Sequence, residues 1–346
     1  MEFLFEYGLF LAKCVTVLVA LLVVIVVIAG AGQRHRESDQ GQIEVKNLNE
    51  TLAGITQSLK SVVLHPEARK IEAKAEKKKT KEEQKVQKQE VRQGQSHRER
   101  VFVIDFKGDV QASEVSNLRE EITAILSVAD EKDEVLVRLE SPGGVVHGYG
   151  LAASQLQRIR NRNIPLTVAV DKVAASGGYM MACIANRIIA APFAILGSIG
   201  VVAQIPNVHR LLKKNEIDFE VLTAGEYKRT LTVFGENTDK AREKFLEDLE
   251  DVHVLFKEFV TEHRPSVRIE EVATGEAWFG RRALDRSLVD ELMTSDEYIV
   301  ARCEQADVFQ VRYTVHKSRF DRVFDRVARL LTPARLENRL PGEYFS

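Results

Sequence analysis

The sequence predicts an α/β domain built on a mostly parallel sheet, and three observations carry the prediction. Short apolar, β-branched runs stand at Val101–Phe106, Val135–Leu139 and Leu166–Val170. Helically spaced segments separate them, with Leu118, Ile122 and Ile125 on one and Tyr149 to Ile159 forming the other. Glycine-rich turns follow the strands, at Ser141-Pro142-Gly143-Gly144 and at Ala174-Ala175-Ser176-Gly177-Gly178-Tyr179. Runs apolar throughout read as strands buried on both faces, and strand–helix alternation reads as right-handed βαβ units.

The later elements follow the same logic. Ala182 to Ile205 is apolar, but Arg187, Pro192 and Gly197 to Gly200 divide it into pieces too short to span a membrane. Those pieces fit buried strands and turns. Thr238 to His263 is a long helical pattern with Phe245, Leu249, Val252, Phe256 and Phe259 on one face and an N-cap region at Asn237-Thr238-Asp239.

Composition narrows the function classes. The 346 residues carry 49 basic and 51 acidic side chains, a balance with no general pull toward nucleic acid. Cys14, Cys183 and Cys303 lie too far apart for a metal site or a disulfide framework, so no metal and no oxidising compartment is expected. Residues 14–32 are uncharged and rich in Val, Leu, Ile and Ala, close to the ~20 apolar residues a spanning helix needs. Ala29-Gly30-Ala31 has the form of a signal-peptide cleavage site. The run exceeds a signal core of ~7–15 residues, and Glu2 and Glu6 precede it, so a retained anchor is the expectation.

Residues 1–13 therefore form an N-terminal segment and 14–32 the anchor. Residues 33–100, rich in Lys, Glu and Gln, are expected to be a charged, partly helical, solvated tether. Its basic residues could instead bind anionic lipid. Residues 101–316 are the expected folded domain. Residues 317–346 form a basic amphipathic tail, with Phe320, Val323, Phe324, Val327, Leu330 and Leu331 sharing a face. Such a face suits a membrane surface, the domain itself or a neighbouring subunit.

The strand-to-helix junction at Ser176 can present a hydroxyl in a cleft beside a positive helix terminus. An N-cap serine is the ordinary alternative. Gly143 and Gly144 end a strand where parallel sheets bind ligands, and their amides can approach a substrate carbonyl closely. A serine nucleophile needs a base. His147, His209, His253 and His263 are available, with Asp171 as an orienter for His147, and Lys228 is the other candidate. A lysine acts as base only when neutral, which requires its ordinary pKa of ~10.4 to fall toward ~7–8. These residues taken alone leave lysine and histidine both open.

The pieces Arg138-Leu139-Glu140-Ser141-Pro142-Gly143-Gly144, Ala174 to Tyr179, Gly197-Ser198-Ile199-Gly200-Val201 and Tyr227-Lys228, in this order and spacing, resemble the signal peptide peptidase A family of serine peptidases. The likeness covers Val101 to Tyr313 well. It implies a ClpP/crotonase-like fold of stacked ββα units behind one transmembrane helix and a charged tether. It further implies Ser176 as nucleophile, Lys228 as general base, Gly143 or Gly144 in the oxyanion hole, and Ser198 as the residue orienting the lysine; Gly177, next to Ser176, is a further oxyanion candidate by its position. No histidine lies between Ser176 and His209, which disfavours a ClpP-like triad. No metal or organic cofactor is implied.

The expected partners are a peptide or protein substrate, membrane lipid through the N-terminal helix, and further copies of the chain, as in relatives that assemble; no nucleic acid is expected. The location implied is the bacterial inner membrane. Arg34, Arg36 and the lysine-rich tether favour a cytoplasmic body, whereas relatives of the family work on the outer side. Two rivals stand beside the peptidase. A crotonase-like acyl-CoA enzyme would leave Ser176 and Lys228 unexplained, and a non-catalytic membrane scaffold would tolerate their loss.

Overall fold

The structure is a computed structural model that describes residues 7–11, 13, 15–18, 41–65, 67–69, 71, 74, 78 and 98–315. The expected anchor, apart from residues 15–18 at its start, and the tail 317–346 lie outside the described residues. Among the described residues no helix is long and apolar enough to cross a membrane. The chain divides into two compact units, residues 44–312 and residues 1–43 together with 313–346. In the latter, residues 7–11 are helical, and the Gly41 amide donates to the Tyr313 hydroxyl at 2.9 Å.

The larger unit is mixed α/β around a seven-stranded sheet. In spatial order it runs β1 (Gln42–Asn47), β10 (Asp307–Thr314), β2 (Arg100–Lys107), β3 (Glu134–Glu140), β4 (Leu166–Val170), β6 (Arg187–Ala190) and β9 (Glu291–Leu292). From β10 to β9 every pairing is parallel. Val101, Val103, Ile104, Val135 to Val137, Leu166 and Val168 are wholly buried, which explains why these strands read as unbroken apolar runs. A second sheet joins β5 (Val173–Ala175), β7 (Ile195–Gly197) and β8 (Ala277–Phe279).

Helix α1 (Leu48–Val63) follows β1; α2 (Val115–Leu126) and α3 (Val146–Arg160) connect β2 to β3 and β3 to β4. Leu118, Ile122 and Ile125 of α2 and Tyr149, Ala152, Leu156 and Ile159 of α3 are buried. Short helices α4 (Gly177–Ala182) and α5 (His209–Lys214) come next, then α6 (Asp239–His263), α7 (Ile269–Val272), α8 (Gly280–Leu284) and α9 (Ser295–Gln305). The Thr238 side chain caps α6 by accepting from Ala241 N–H. Of its expected apolar face only Phe256 is fully buried, joined by Val260; Phe245, Leu249, Val252 and Phe259 are half-buried.

The stretch expected to be a tether thus supplies an edge strand and a helix. Asn49 explains the docking of α1. Its amide donates to the carbonyls of Cys303 and Ala306, and its oxygen accepts from Val308 N–H at 2.7 Å. One polar side chain ties α1 to the end of α9 and to β10, although no residue of α1 is buried.

Asp133 locks the start of β2. It accepts from Arg100 at 2.9 and 2.6 Å and from the Asp130 amide at 2.8 Å, and it is fully buried. Burial pushes its carboxyl up, but the Arg100 guanidinium and the backbone donors outweigh this and hold it below its ordinary value. A folded-state value below the unfolded one adds stability above pH ~4 that disappears as pH falls through the folded value. Asp133→Asn is therefore expected to destabilise at neutral pH and to flatten the loss of stability below pH ~4. Thermal melts across that acid range check this; an unchanged acid slope would refute it.

Candidate active site

Two adjoining kinks define the site. Ala175 pairs with Gly197 at the C-terminal ends of the parallel strands β5 and β7. The next residues, Ser176 (φ 52°) and Ser198 (φ 50°), both adopt positive φ. Side-chain-bearing residues rarely do so, at a cost of about 1–3 kcal/mol each. Hydrogen bonds over-determine the first kink: Ser176 N–H donates to Gly197 O at 2.8 Å, and Ser176 O accepts from Met180 N–H at 3.0 Å. The second is held by Ser198 N–H donating to Glu276 O at 2.7 Å.

Ser176 immediately precedes α4 yet makes no side-chain cap hydrogen bond. The ordinary N-cap role therefore does not account for it. Gly143 (φ 91°) packs directly against it. A Cβ there would lie 2.7 Å from Ala175 O, 2.8 Å from Gly177 N and 2.8 Å from Ser176 Cβ. The approach is built by a bridge between Ser141 and Ala174, with Ser141 N–H donating to Val173 O and Ala175 N–H to Ser141 O. Gly144 is wedged from the other side, since its Cβ would lie 2.1 Å from Val110 O.

The amides differ in what they can do. Gly143 N–H donates to Ser141 Oγ at 3.1 Å and is thereby occupied. Gly144 N–H has no acceptor among the described residues. Gly177 opens α4, where a helix leaves its first N–H groups without intrahelical partners. The structure thus gathers Ser176, Gly143, Gly177 and Ser198 around one junction, with Gly144 next to Gly143 in the same turn.

Lys228 stands elsewhere. It is exposed in a turn that its amide closes on Gly225 O at 3.2 Å. Glu226, two residues earlier, pairs with Lys240 of α6 at 2.6 Å. Among the described residues no hydrogen bond or ion pair joins Lys228 to Ser176 or Ser198. The histidine alternative loses its orienter, because both Asp171 oxygens are taken by Ser295, from its N–H at 2.8 Å and its Oγ at 2.5 Å, at the start of α9. His263 bonds Gln157 and Phe259 O, and His209 approaches Phe234 O. Sequence reasoning passed over Ser141 as part of a turn and Tyr149 as a helix residue. The available signal was a serine directly after β3, with a tyrosine on the buried face of the next helix.

The family model "Peptidase family S49 N-terminal" matches residues 2–156, and "Peptidase family S49" matches 158–308. The "Probable protease SohB" of Haemophilus influenzae is 51% identical over 321 residues, spanning 92% of this chain and 91% of that one. The protein of the same description from Buchnera aphidicola subsp. Schlechtendalia chinensis is 51% identical over 306 residues, spanning 87% of this chain and all of that one.

The chain belongs to peptidase family S49.

It is a SohB-type peptidase by these likenesses, and both S49 models lie across its candidate site: the Pro142–Gly144 turn in the first, Ser176, Ser198 and Lys228 in the second.

Proposed function

We propose that the chain is a serine endopeptidase whose nucleophile is Ser176. The observation that carries this reading is a half-buried serine held at φ 52° with no cap hydrogen bond, pressed against Gly143 and followed by Gly177. In the proposed reaction Ser176 Oγ attacks a peptide carbonyl, its proton passes to the Lys228 side chain, and the C=O π electrons move to oxygen. The amides of Gly144 and Gly177 receive that oxyanion. Collapse breaks the C–N bond, and the lysine ammonium returns the proton to the leaving amine. Water, deprotonated by Lys228, then releases the acyl group and regenerates Ser176. In this reading Ser198, whose neighbour Gly197 accepts from Ser176 N–H, orients the lysine once Lys228 reaches the site.

Because Lys228 sits in an exposed turn, this reading requires the segment 201–238 to rearrange when substrate or another copy of the chain binds. Val202, Leu211, Ile217 and Leu222 expose much apolar surface there, which supports assembly into an oligomer. The chain twice runs from a strand of the larger sheet into one of the smaller, β4 into β5 and β6 into β7, the first followed by α4, and this order supports a ClpP/crotonase-like fold. The apolar residues 14–32 support a single-pass anchor in the bacterial inner membrane, with unfolded or membrane-derived peptides as substrates.

The test is hydrolysis of unfolded casein by detergent-purified protein, comparing wild type with Ser176→Ala and Lys228→Ala. Loss in both variants supports the dyad. Activity kept by the lysine variant alone transfers the base to another residue. Activity kept by the serine variant overturns the reading.

A further inference from the structure

A buried hydrogen-bond chain underlies the Pro142–Gly144 turn, and no role assigned so far uses it. Gly143 N–H donates to Ser141 Oγ at 3.1 Å; Ser141 Oγ lies 2.5 Å from Tyr149 Oη; and Tyr149 Oη donates to Asp109 O at 2.8 Å. The direction is fixed by proton count. The Tyr149 proton goes to Asp109, so the Ser141 hydroxyl must donate to Tyr149 and keep its lone pairs for Gly143. Ser141 and Tyr149 are both wholly buried. Burial raises the Tyr149 phenol above its ordinary value, the Ser141 hydrogen bond opposing and the Asp109 charge assisting. The donor therefore stays protonated at neutral pH.

The tyrosine ring has a second contact. A Cβ on Gly177 would lie 2.4 Å from Tyr149 Cγ. A Cβ on Gly108 would lie 2.3 Å from Tyr149 Oη and 2.5 Å from Ser141 Oγ. One side chain thus touches both backbone segments that flank Ser176. Its ring bears on Gly177, and its hydroxyl acts through Ser141 on Gly143.

We infer that Tyr149, acting with Ser141, is a positioning residue that presets the amides of Gly144 and Gly177 for the oxyanion. With Gly143 N–H committed to Ser141, the turn is locked in one register. Gly144 N–H and Gly177 N–H then remain for the substrate oxygen. Donors that need no reorganisation at the moment of reaction stabilise developing charge most. This inference rests on the serine-peptidase reading.

The experiment measures kcat and KM for a fluorogenic peptide with the full chain in detergent. Wild type, Ser176→Ala, Tyr149→Phe, Ser141→Ala and the Tyr149→Phe/Ser141→Ala double variant are compared, with Tm for each. Tyr149→Phe keeps the ring on Gly177 and removes only the hydroxyl. Each single variant is expected to lower kcat ~10-fold, a fraction of the roughly 10²–10³-fold seen when an oxyanion donor is lost outright, with KM within ~2-fold. The double variant should be no slower than the slower single one, because both cut the same chain. Should Tyr149→Phe fail to fold, Ser141→Ala, which removes one oxygen, carries the same expectation. A lowered Tm with kcat within ~2-fold of wild type would make the network merely structural and overturn the inference. Losses that multiply in the double variant would also overturn it. A wild type that hydrolyses no peptide and whose Ser176 resists a fluorophosphonate probe would instead remove the peptidase reading, and the inference with it.

Discussion

Ser176→Ala is expected to lower kcat for peptide hydrolysis by about 10⁴- to 10⁶-fold, the range for removing a nucleophile from a catalytic unit. The fold should survive. Alanine retains the Cβ, so the strain at φ 52° is unchanged, and the lost hydroxyl capped no helix. The backbone bonds to Gly197 and Met180 are untouched. Lys228→Ala should show the same separation. Its side chain is exposed, and the turn is closed by its amide, so its effect on stability should stay within about ±0.5 kcal/mol. Casein hydrolysis with a thermal melt of each variant decides the matter. Activity lost only in step with stability would argue that both residues are structural.

Gly143→Ala should fail in a different way, losing stability and activity together. At φ 91° the new Cβ meets a carbonyl oxygen, an amide nitrogen and the Ser176 Cβ, each between 2.7 and 2.8 Å away. Those atoms are backbone or tied to it, so no flexible side chain can move aside. The combined strain and overpacking should cost about 2–5 kcal/mol. Any relaxation displaces Ser176 from the turn, which should cost at least ~100-fold in kcat. Gly150→Ala is the control. It lies in α3, a methyl added there would meet nothing within 4 Å, and the change should be neutral or stabilising by up to about 1 kcal/mol. Denaturant titrations of the two variants separate the cases; equal stability would show that the turn can shift without penalty.

The central strands were legible because double-sided burial writes itself as a local run. Val101–Phe106 and Val135–Leu139 fall within a residue or two of β2 and β3, and Leu166–Val170 is β4 itself. Helix α2 was equally plain, since Leu118, Ile122 and Ile125 face one core. Strand β1 and helix α1 were hidden for the opposite reason. They stand in a stretch whose Lys, Glu and Gln content masks the helical spacing of Leu48, Leu52, Ile55 and Leu59, and Asn49 makes its bonds to residues 254 to 259 positions away. The site was legible as motifs but not as geometry. A sequence shows that Gly143 and Gly144 can approach a substrate; it cannot show that Ser141 occupies one amide and spares the other. It also offered Asp171 as a partner for His147, where the fold gives both of its oxygens to Ser295.

Strand β10 has a consequence for the making of the protein. Residues 307–310 pair with 100–103, so the last described strand lies beside the first long one. Until it arrives, β2 presents an unpaired edge with Val101 and Val103 beside it, a template for pairing with the wrong chain. At ribosomal speeds of ~5–20 residues per second, the intervening stretch of about 200 residues leaves that edge open for roughly 10–40 seconds. The nascent chain therefore stays unable to close its sheet, and so to assemble a working protease, for nearly the whole time that the domain is being synthesised.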